Sequence, residues 1–197
     1  MEILSNYIQL IVSSAVTLTG VFLSWFLKYK YGEYKHRKIT REISQSKLVQ
    51  TILEQQLGEY KAQRSFILQR HNGGKYKTGK SMNKLSTTFE ALEDGVSTEF
   101  KEYQNLPITL YSGLVDSVQT ERGIFPVVEN IDDILTRAFF VQRGTKSAIV
   151  YPITRGIELV GMVGFEWTHK IEKMIEQDYV QFKEDGKVIG ETLSKLL

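Results

Sequence analysis

A chain of 197 residues, 42 % hydrophobic and 24 % charged, can hold one domain with a real core after an N-terminal helix and a connector are set aside. The formal net charge of +2, from 25 Lys and Arg against 23 Asp and Glu, leaves no electrostatic footprint for a nucleic-acid partner. With no cysteine, zinc fingers, iron–sulfur clusters, disulfides and thiol nucleophiles are excluded together.

From Ile3 through Leu27 no residue is charged. A helix of that length, rising about 1.5 Å per residue, crosses a hydrocarbon core of about 30 Å. The opening Met1-Glu2 lacks the basic start of a signal peptide, and the run ends on Trp25-Phe26-Leu27-Lys28 rather than at a small-residue cleavage site. A retained transmembrane helix is therefore expected. Asn6, Gln9, Ser13, Thr17, Gly20 and Ser24 follow one another at steps of three or four, on one helix face. In lipid, small residues allow close backbone approach and amides hydrogen-bond across helices, so this stripe is the expected contact face of a homo-oligomer. Hydroxyls bonding back to their own helix are the alternative. Lys28, Lys30, Lys35, Arg37 and Lys38, interleaved with Tyr29, Tyr31 and Tyr34, follow the span, while only Glu2 and the terminal amine precede it. This cluster is expected against the anionic head groups of an inner-membrane bilayer. The positive-inside rule then puts the following domain in the cytoplasm.

Ile39, Ile43, Val49, Ile52, Leu53, Leu57 and Tyr60 recur at near-helical spacing without a proline, predicting a connector helix from about Lys38 to Gln63. The organisation expected is residues 1–30 for the span and its basic flank, 31–63 for the connector and 64–197 for one α+β domain. In that domain Ser65–Arg70 reads as a strand, and His71-Asn72-Gly73-Gly74 as a tight reversal. Leu85, Thr87, Phe89 and Ala91 alternate as a second strand. Short helices are expected at Ile108–Val118 and Ile131–Phe140. Ser147–Ile153 forms a third strand, Arg155-Gly156 turns the chain, and Ile157, Leu159, Gly161, Val163, Phe165 and Trp167 line one face of a fourth. Ile171, Met174, Ile175, Tyr179, Phe182, Ile189, Leu193 and Leu196 predict a long closing helix weakened by Gly186 and Gly190. Strands at both ends with helices between them point to an antiparallel sheet covered by helices.

Gly74-Lys75-Tyr76-Lys77-Thr78-Gly79-Lys80-Ser81 satisfies the spacing of a phosphate-binding loop, in which backbone N–H groups surround phosphates and the lysine reaches them. The preceding strand ends on Gln69-Arg70-His71 instead of being buried on both faces, and Leu85-Ser86-Thr87-Thr88-Phe89, beyond the loop, reads as strand instead of helix. A basic hairpin loop is the expectation, with nucleotide binding the weaker alternative. His36, His71 and His169 have no partner at metal-ligand spacing, and no nucleophile, base and orienting group converge in the sequence. No metal, no cofactor and no enzymatic activity are expected.

Two resemblances go further. Lys146-Ser147-Ala148-Ile149-Val150-Tyr151-Pro152-Ile153, a short hairpin and Leu159-Val160-Gly161-Met162-Val163-Gly164-Phe165-Glu166-Trp167 resemble the last two strands of GAF-type domains, with a long helix following as in that family. The resemblance covers about residues 64–197. It implies a GAF/PAS-like sheet with the first and last helices packed on one face and a small-molecule pocket on the other. The second resemblance is to phage proteins carrying Arg-His-Asn-Gly-Gly followed by Lys-Leu-Ser-x-Thr-x-Glu, matched by Arg70–Gly74 and Lys84–Glu90. Arg70, His71, Asn72, Lys84 and Glu90 become the candidate contacts for a small ligand or a regulatory partner protein. The whole layout resembles the T-even phage type of holin, which implies oligomerisation in the host membrane, a role in lysis or its timing, and a periplasmic domain. Two functions are therefore expected in competition, with a holin-like membrane oligomer ahead of a membrane-anchored GAF-like sensory or docking module.

Overall fold

The computed structural model describes residues 2–120, 123–169 and 176–196, except for the side chains of 2–12, 15, 176–179 and 182. The chain divides into two compact units, Met1–Ser46 and Lys47–Leu197. One helix, α1 (Glu2–Tyr60), forms the first and opens the second. The basic, tyrosine-rich flank and the connector helix expected from about Lys38 are both parts of this helix, which runs to Tyr60. Nothing there breaks a helix, and the spaced pairs Lys30–Glu33 (3.3 Å), Arg37–Glu33 (2.6 Å) and Lys38–Glu42 (3.9 Å) favour one.

Among the described residues no helix is long and apolar enough to cross a membrane. Much of the expected span falls outside them, because the side chains of 3–12 and 15, Asn6 and Gln9 included, are not described. In the described remainder Val16, Leu18, Val21, Phe22, Leu23, Trp25 and Leu27 are all more than half exposed, around the helix except on the face of Thr17, Gly20 and Ser24.

In the second unit α1 buries Val49 and Leu53 and ends at Lys61, which takes the left-handed φ of 51° while Ala62 N–H donates to the Leu57 carbonyl (3.1 Å). Next come β1 (Arg64–Lys75), β2 (Ser81–Leu92), β3 (Leu106–Pro107), α2 (Ser112–Gln119), β4 (Ile124–Phe125), a 3-10 turn at Val128–Asn130 and α3 (Ile134–Gln142). The hairpin β5 (Ser147–Arg155) and β6 (Glu158–Trp167) precedes α4 (Glu176–Leu196). The six strands make one antiparallel sheet in the order β3-β2-β1-β6-β5-β4. On one face the end of α1 and α4 pack through Val49, Leu53, Ile189 and Leu193 onto Ile67, Ile149, Val163, Phe165 and Trp167. On the other, α2, α3 and the loops pack through Leu114, Val118, Phe139 and Phe140 onto Phe66, Leu68, Val150 and Met162.

The expected α+β design is present, but two bulges correct its strands. The β1–β2 register passes from Ile67↔Phe89 to Leu68↔Thr87, leaving Thr88 unpaired, so Leu85 packs on the α3 face while Phe89 and Ala91 pack on the α4 face. Likewise Ile153↔Gly161 is followed by Thr154↔Leu159, skipping Val160. Leu159 therefore joins the opposite face from Val163, Phe165 and Trp167, and Ile157 lies in the turn, fully exposed. An extra residue reverses every side chain beyond it, which simple alternation does not reveal. The reversal expected at His71–Gly74 is also displaced. β1 continues to Lys75 across a bulge at Gly73-Gly74, and the chain turns at Tyr76–Lys80.

The first helix expected in the middle begins later, at Ser112, because Leu106-Pro107 pairs with β2 instead. Of the residues expected in the closing helix, Ile171, Met174 and Ile175 lie outside the described residues, and the side chains of Tyr179 and Phe182 are not described. Gly186 and Gly190 are where α4 meets the sheet. A Cβ on Gly186 would collide with the Tyr151 ring, and one on Gly190 with the Pro152 carbonyl oxygen.

Candidate functional site

Four strand and loop segments converge on a buried charge cluster at the α3 face. Arg64 starts β1, Glu90 lies near the end of β2, Glu166 near the end of β6, and Arg143 directly follows α3. Arg64 Nη1 donates to Glu166 Oε2 at 2.7 Å, and Arg143 Nε lies 2.8 Å from Glu166 Oε1. Arg64 Nε is 3.4 Å from Glu90 Oε1, while Glu90 also accepts from the Thr98 hydroxyl and the Glu99 N–H. All four side chains are at most 5 % exposed. The two guanidiniums are met by these two carboxylates and, at the cluster's edge, by Glu99 3.9 Å from Arg64 Nη2, which is what keeps charge tolerable in a dry interior. The Arg143 guanidinium also lies 4.5 to 5.2 Å from the ring centroids of Phe66, Tyr103 and Phe139. Burial raises the Tyr103 phenol above its ordinary value, against the lowering pull of Arg143.

Sequence reasoning missed this cluster. The strand reading put Phe165 and Trp167 on one face of β6 and gave Glu166, between them, no role. With both faces covered, it points into a core. Glu90, a candidate contact for a ligand or partner, is corrected by the same cluster, since its carboxylate is enclosed and engaged.

The other four candidates, Arg70, His71, Asn72 and Lys84, are brought together where β1 and β2 leave the body of the sheet. Arg70 Nη1 reaches Glu158 Oε1 (3.1 Å) and the Leu159 carbonyl (3.3 Å), and its Nη2 reaches Asn83 Oδ1 (3.3 Å). His71 Nε2 is 2.8 Å from Ser86 Oγ, which also accepts the Asn105 N–H. Asn72 Oδ1 accepts the Gly74 N–H (2.9 Å), shaping the bulge, where Gly74 has φ +100°. The Lys84 side chain runs along Gly73. His71 and Asn72 thus have local structural roles, whereas Lys75, Lys77 and Lys80 of the loop are exposed. The string Gly74–Ser81 forms the tip of this hairpin. Strand β2, not a helix, continues from it, so the geometry of a phosphate-binding loop is missing.

Two hollows flank the sheet in the second unit. A cleft of about 510 Å³ opens between α2, β4 and α3, lined by Asp116, Ser117, Phe125, Val127, Asp133 and Thr136 among others. Asp133 caps α3 by accepting the Thr136 hydroxyl (2.6 Å) and N–H (2.7 Å), and these bonds hold its carboxyl below the ordinary value of 3.8. A smaller hollow of about 180 Å³ lies between α4 and the edge of β5, with Lys183 and Lys187 at its rim.

In the first unit, Thr17 Oγ1 donates to the Ser13 carbonyl at 2.8 Å, the back-bonding arrangement that competes with a hydrogen bond to another helix. Thr17, Gly20 and Ser24, with Val21, Trp25 and Lys28, outline a shallow surface hollow. Within the basic cluster Lys30, Arg37 and Lys38 have glutamate neighbours one turn away, and the first two pull the Glu33 carboxyl below its ordinary value, Lys30 most strongly.

No protein-family model matches the chain, and no curated protein matches it. Its fold is that of GAF domains. Over 82 % of its length and 99 % of the other chain, it is similar to the GAF domain region of a Geobacter sulfurreducens PCA protein provisionally described as a membrane protein, at 14 % identity and TM-score 0.56. It is similar to the phycocyanobilin-bound GAF domain of a cyanobacterial phytochrome over 81 % of this chain and 92 % of that one, at 13 % identity and TM-score 0.56. For the blue-light absorbing form of the Thermosynechococcus elongatus PixJ GAF domain the shares are 78 % and 89 %, at 12 % identity and TM-score 0.54. At these identities the likenesses show the fold alone.

Proposed function

We propose that this chain is a membrane-tethered sensory or docking module without catalytic activity, in which a GAF-type domain binds a small ligand or partner and α1 relays its state. One observation carries the reading. Helix α1 holds a stretch from Val16 to Leu27 with large apolar side chains exposed on every face but that of Thr17, Gly20 and Ser24, and further along it buries Val49 and Leu53 in the domain. A helix with so wide an exposed apolar surface finds its partner in lipid or in protein, not in water. The uncharged run continues N-terminally to Ile3, and the lysines after Leu27 favour a cytoplasmic domain at the inner membrane.

The cleft between α2, β4 and α3 is the place for a ligand, since its volume falls in the usual range of about 300–1,000 Å³. The test has two arms. Membranes from cells expressing the full chain should retain it through alkaline carbonate washing, and release into the supernatant refutes the tether. A metabolite panel screened by thermal shift on the purified full chain should give at least one stabilising ligand whose effect Ser117→Trp, which fills the cleft, abolishes. A panel without any shift, or a shift untouched by Ser117→Trp, refutes the ligand site.

A further inference from the structure

The sheet ends in two adjacent hairpin tips whose chemistry the tether and the cleft do not use. Register places them together. The last β1–β6 pair is Gln69↔Gly161, beyond which β1 runs on to Lys75 and β6 begins at Glu158. Arg70 ties the two hairpins by bonding both Glu158 and the Leu159 carbonyl. From Arg70 to Lys84 the chain has five basic residues, Arg70, Lys75, Lys77, Lys80 and Lys84, and no acidic one. The second tip adds Arg155. Glu158 is the one carboxylate beside them, and Arg70 pairs with it. Among the described residues, Lys75, Lys77, Lys80, Lys84 and Arg155 take part in no ion pair. At the apex of the second tip Ile157 is 105 % exposed, and Tyr76 on the first is 37 % exposed.

We infer that these paired tips dock on an anionic bilayer surface, with Ile157 entering the head-group and acyl boundary, Tyr76 at head-group depth and the lysines on phosphates. Charge complementarity fixes the sign of the partner. Shape favours lipid over an acidic protein, because a protruding aliphatic apex needs a matching hollow in a folded partner but enters a fluid interface without one. The combination of an aliphatic tip, a tyrosine and flexible lysines suits an interface that is apolar below and anionic above. The inference does not depend on α1 being inserted in a membrane.

The absence of cysteine makes the test direct. Thr78→Cys at the first tip is labelled with an environment-sensitive dye in the full chain, held in phosphatidylcholine nanodiscs, and titrated with separate vesicles. A chain that stays soluble without nanodiscs refutes the tether and is titrated as it stands, so the two readings fail separately. Vesicles of phosphatidylcholine doped with phosphatidylglycerol should shift the dye to the blue, the shift should fade as salt rises, and pure phosphatidylcholine should give none. At roughly fivefold per basic residue, Lys75→Glu/Lys77→Glu/Lys80→Glu should weaken partitioning at least about 100-fold, and Ile157→Ser about tenfold, with parental melting curves. The proposal is overturned by silence with both lipids, by equal shifts with both, or by a triple variant that binds as tightly as the parent. Binding to polyglutamate without binding to vesicles also overturns it, in favour of an acidic protein surface.

Discussion

Changing Glu166 to glutamine keeps the shape of the side chain but removes the carboxylate closest to both Arg64 and Arg143. Arg143 is fully buried and Arg64 is 4 % exposed, so solvent cannot replace the lost charge. Of the remaining carboxylates, Glu99 lies 3.9 Å from Arg64 Nη2, and Glu90 lies 3.4 Å from Arg64 Nε but 3.9 Å from Arg143 Nη2, leaving Arg143 the less compensated. Removing one partner of a buried ion pair costs about 3–5 kcal/mol. At about 2–4 °C per kcal/mol for a domain of this size, Tm should fall by roughly 6–20 °C. Circular-dichroism melting of the full chain measures it. Adding Arg143→Met restores charge balance between Arg64 and Glu90 and keeps an apolar side chain against the rings of Phe66, Tyr103 and Phe139. The double variant should therefore be more stable than Glu166→Gln alone. A Glu166→Gln protein within about 1 kcal/mol of the parent, or a double variant whose losses simply add, would show that the cluster is not electrostatically coupled.

Three further outcomes test other parts of the second unit. Gly190→Ala should lower Tm despite the better helix propensity of alanine, because the new methyl meets the Pro152 carbonyl, an overpacking cost of about 1–3 kcal/mol; Gly58→Ala, which meets nothing, should not. Asp133→Ala should cost about 1 kcal/mol at neutral pH. Since the folded-state pKa of Asp133 is depressed, its contribution is present above 3.8 and lost as pH falls through the lower folded value, so parent and variant melting curves should converge in acid. Burial, with Asp185 and Glu59 nearby, holds the Tyr60 phenol well above 10. The unfolded chain therefore ionises first, stability declines as pH rises above 10, and Tyr60→Phe should remove that part of the alkaline loss in pH-dependent melting.

The candidate site was only partly legible in the sequence. Arg70, His71, Asn72 and Lys84 were found because they are consecutive or paired across one hairpin, a local relation. Arg64, Arg143 and Glu166 were not, because they are separated by 79 and 23 residues along the chain and meet only when β1, β6 and the end of α3 are assembled. Glu90 was assigned to a surface for the same reason.

The absence of cysteine excluded thiol chemistry, and pattern along the chain located the long strands, the bracketing helices and the uncharged N-terminal run, since these depend on near neighbours. Which face each side chain meets was decided by tertiary structure alone. The unpaired residues at Thr88 and Val160 invert the alternation, glycines at 186 and 190 become contact points rather than weaknesses, and charged strand positions turn inward because helices cover both sides of the sheet. A one-residue offset costs nothing in local propensity, and only the packing of distant segments selects it.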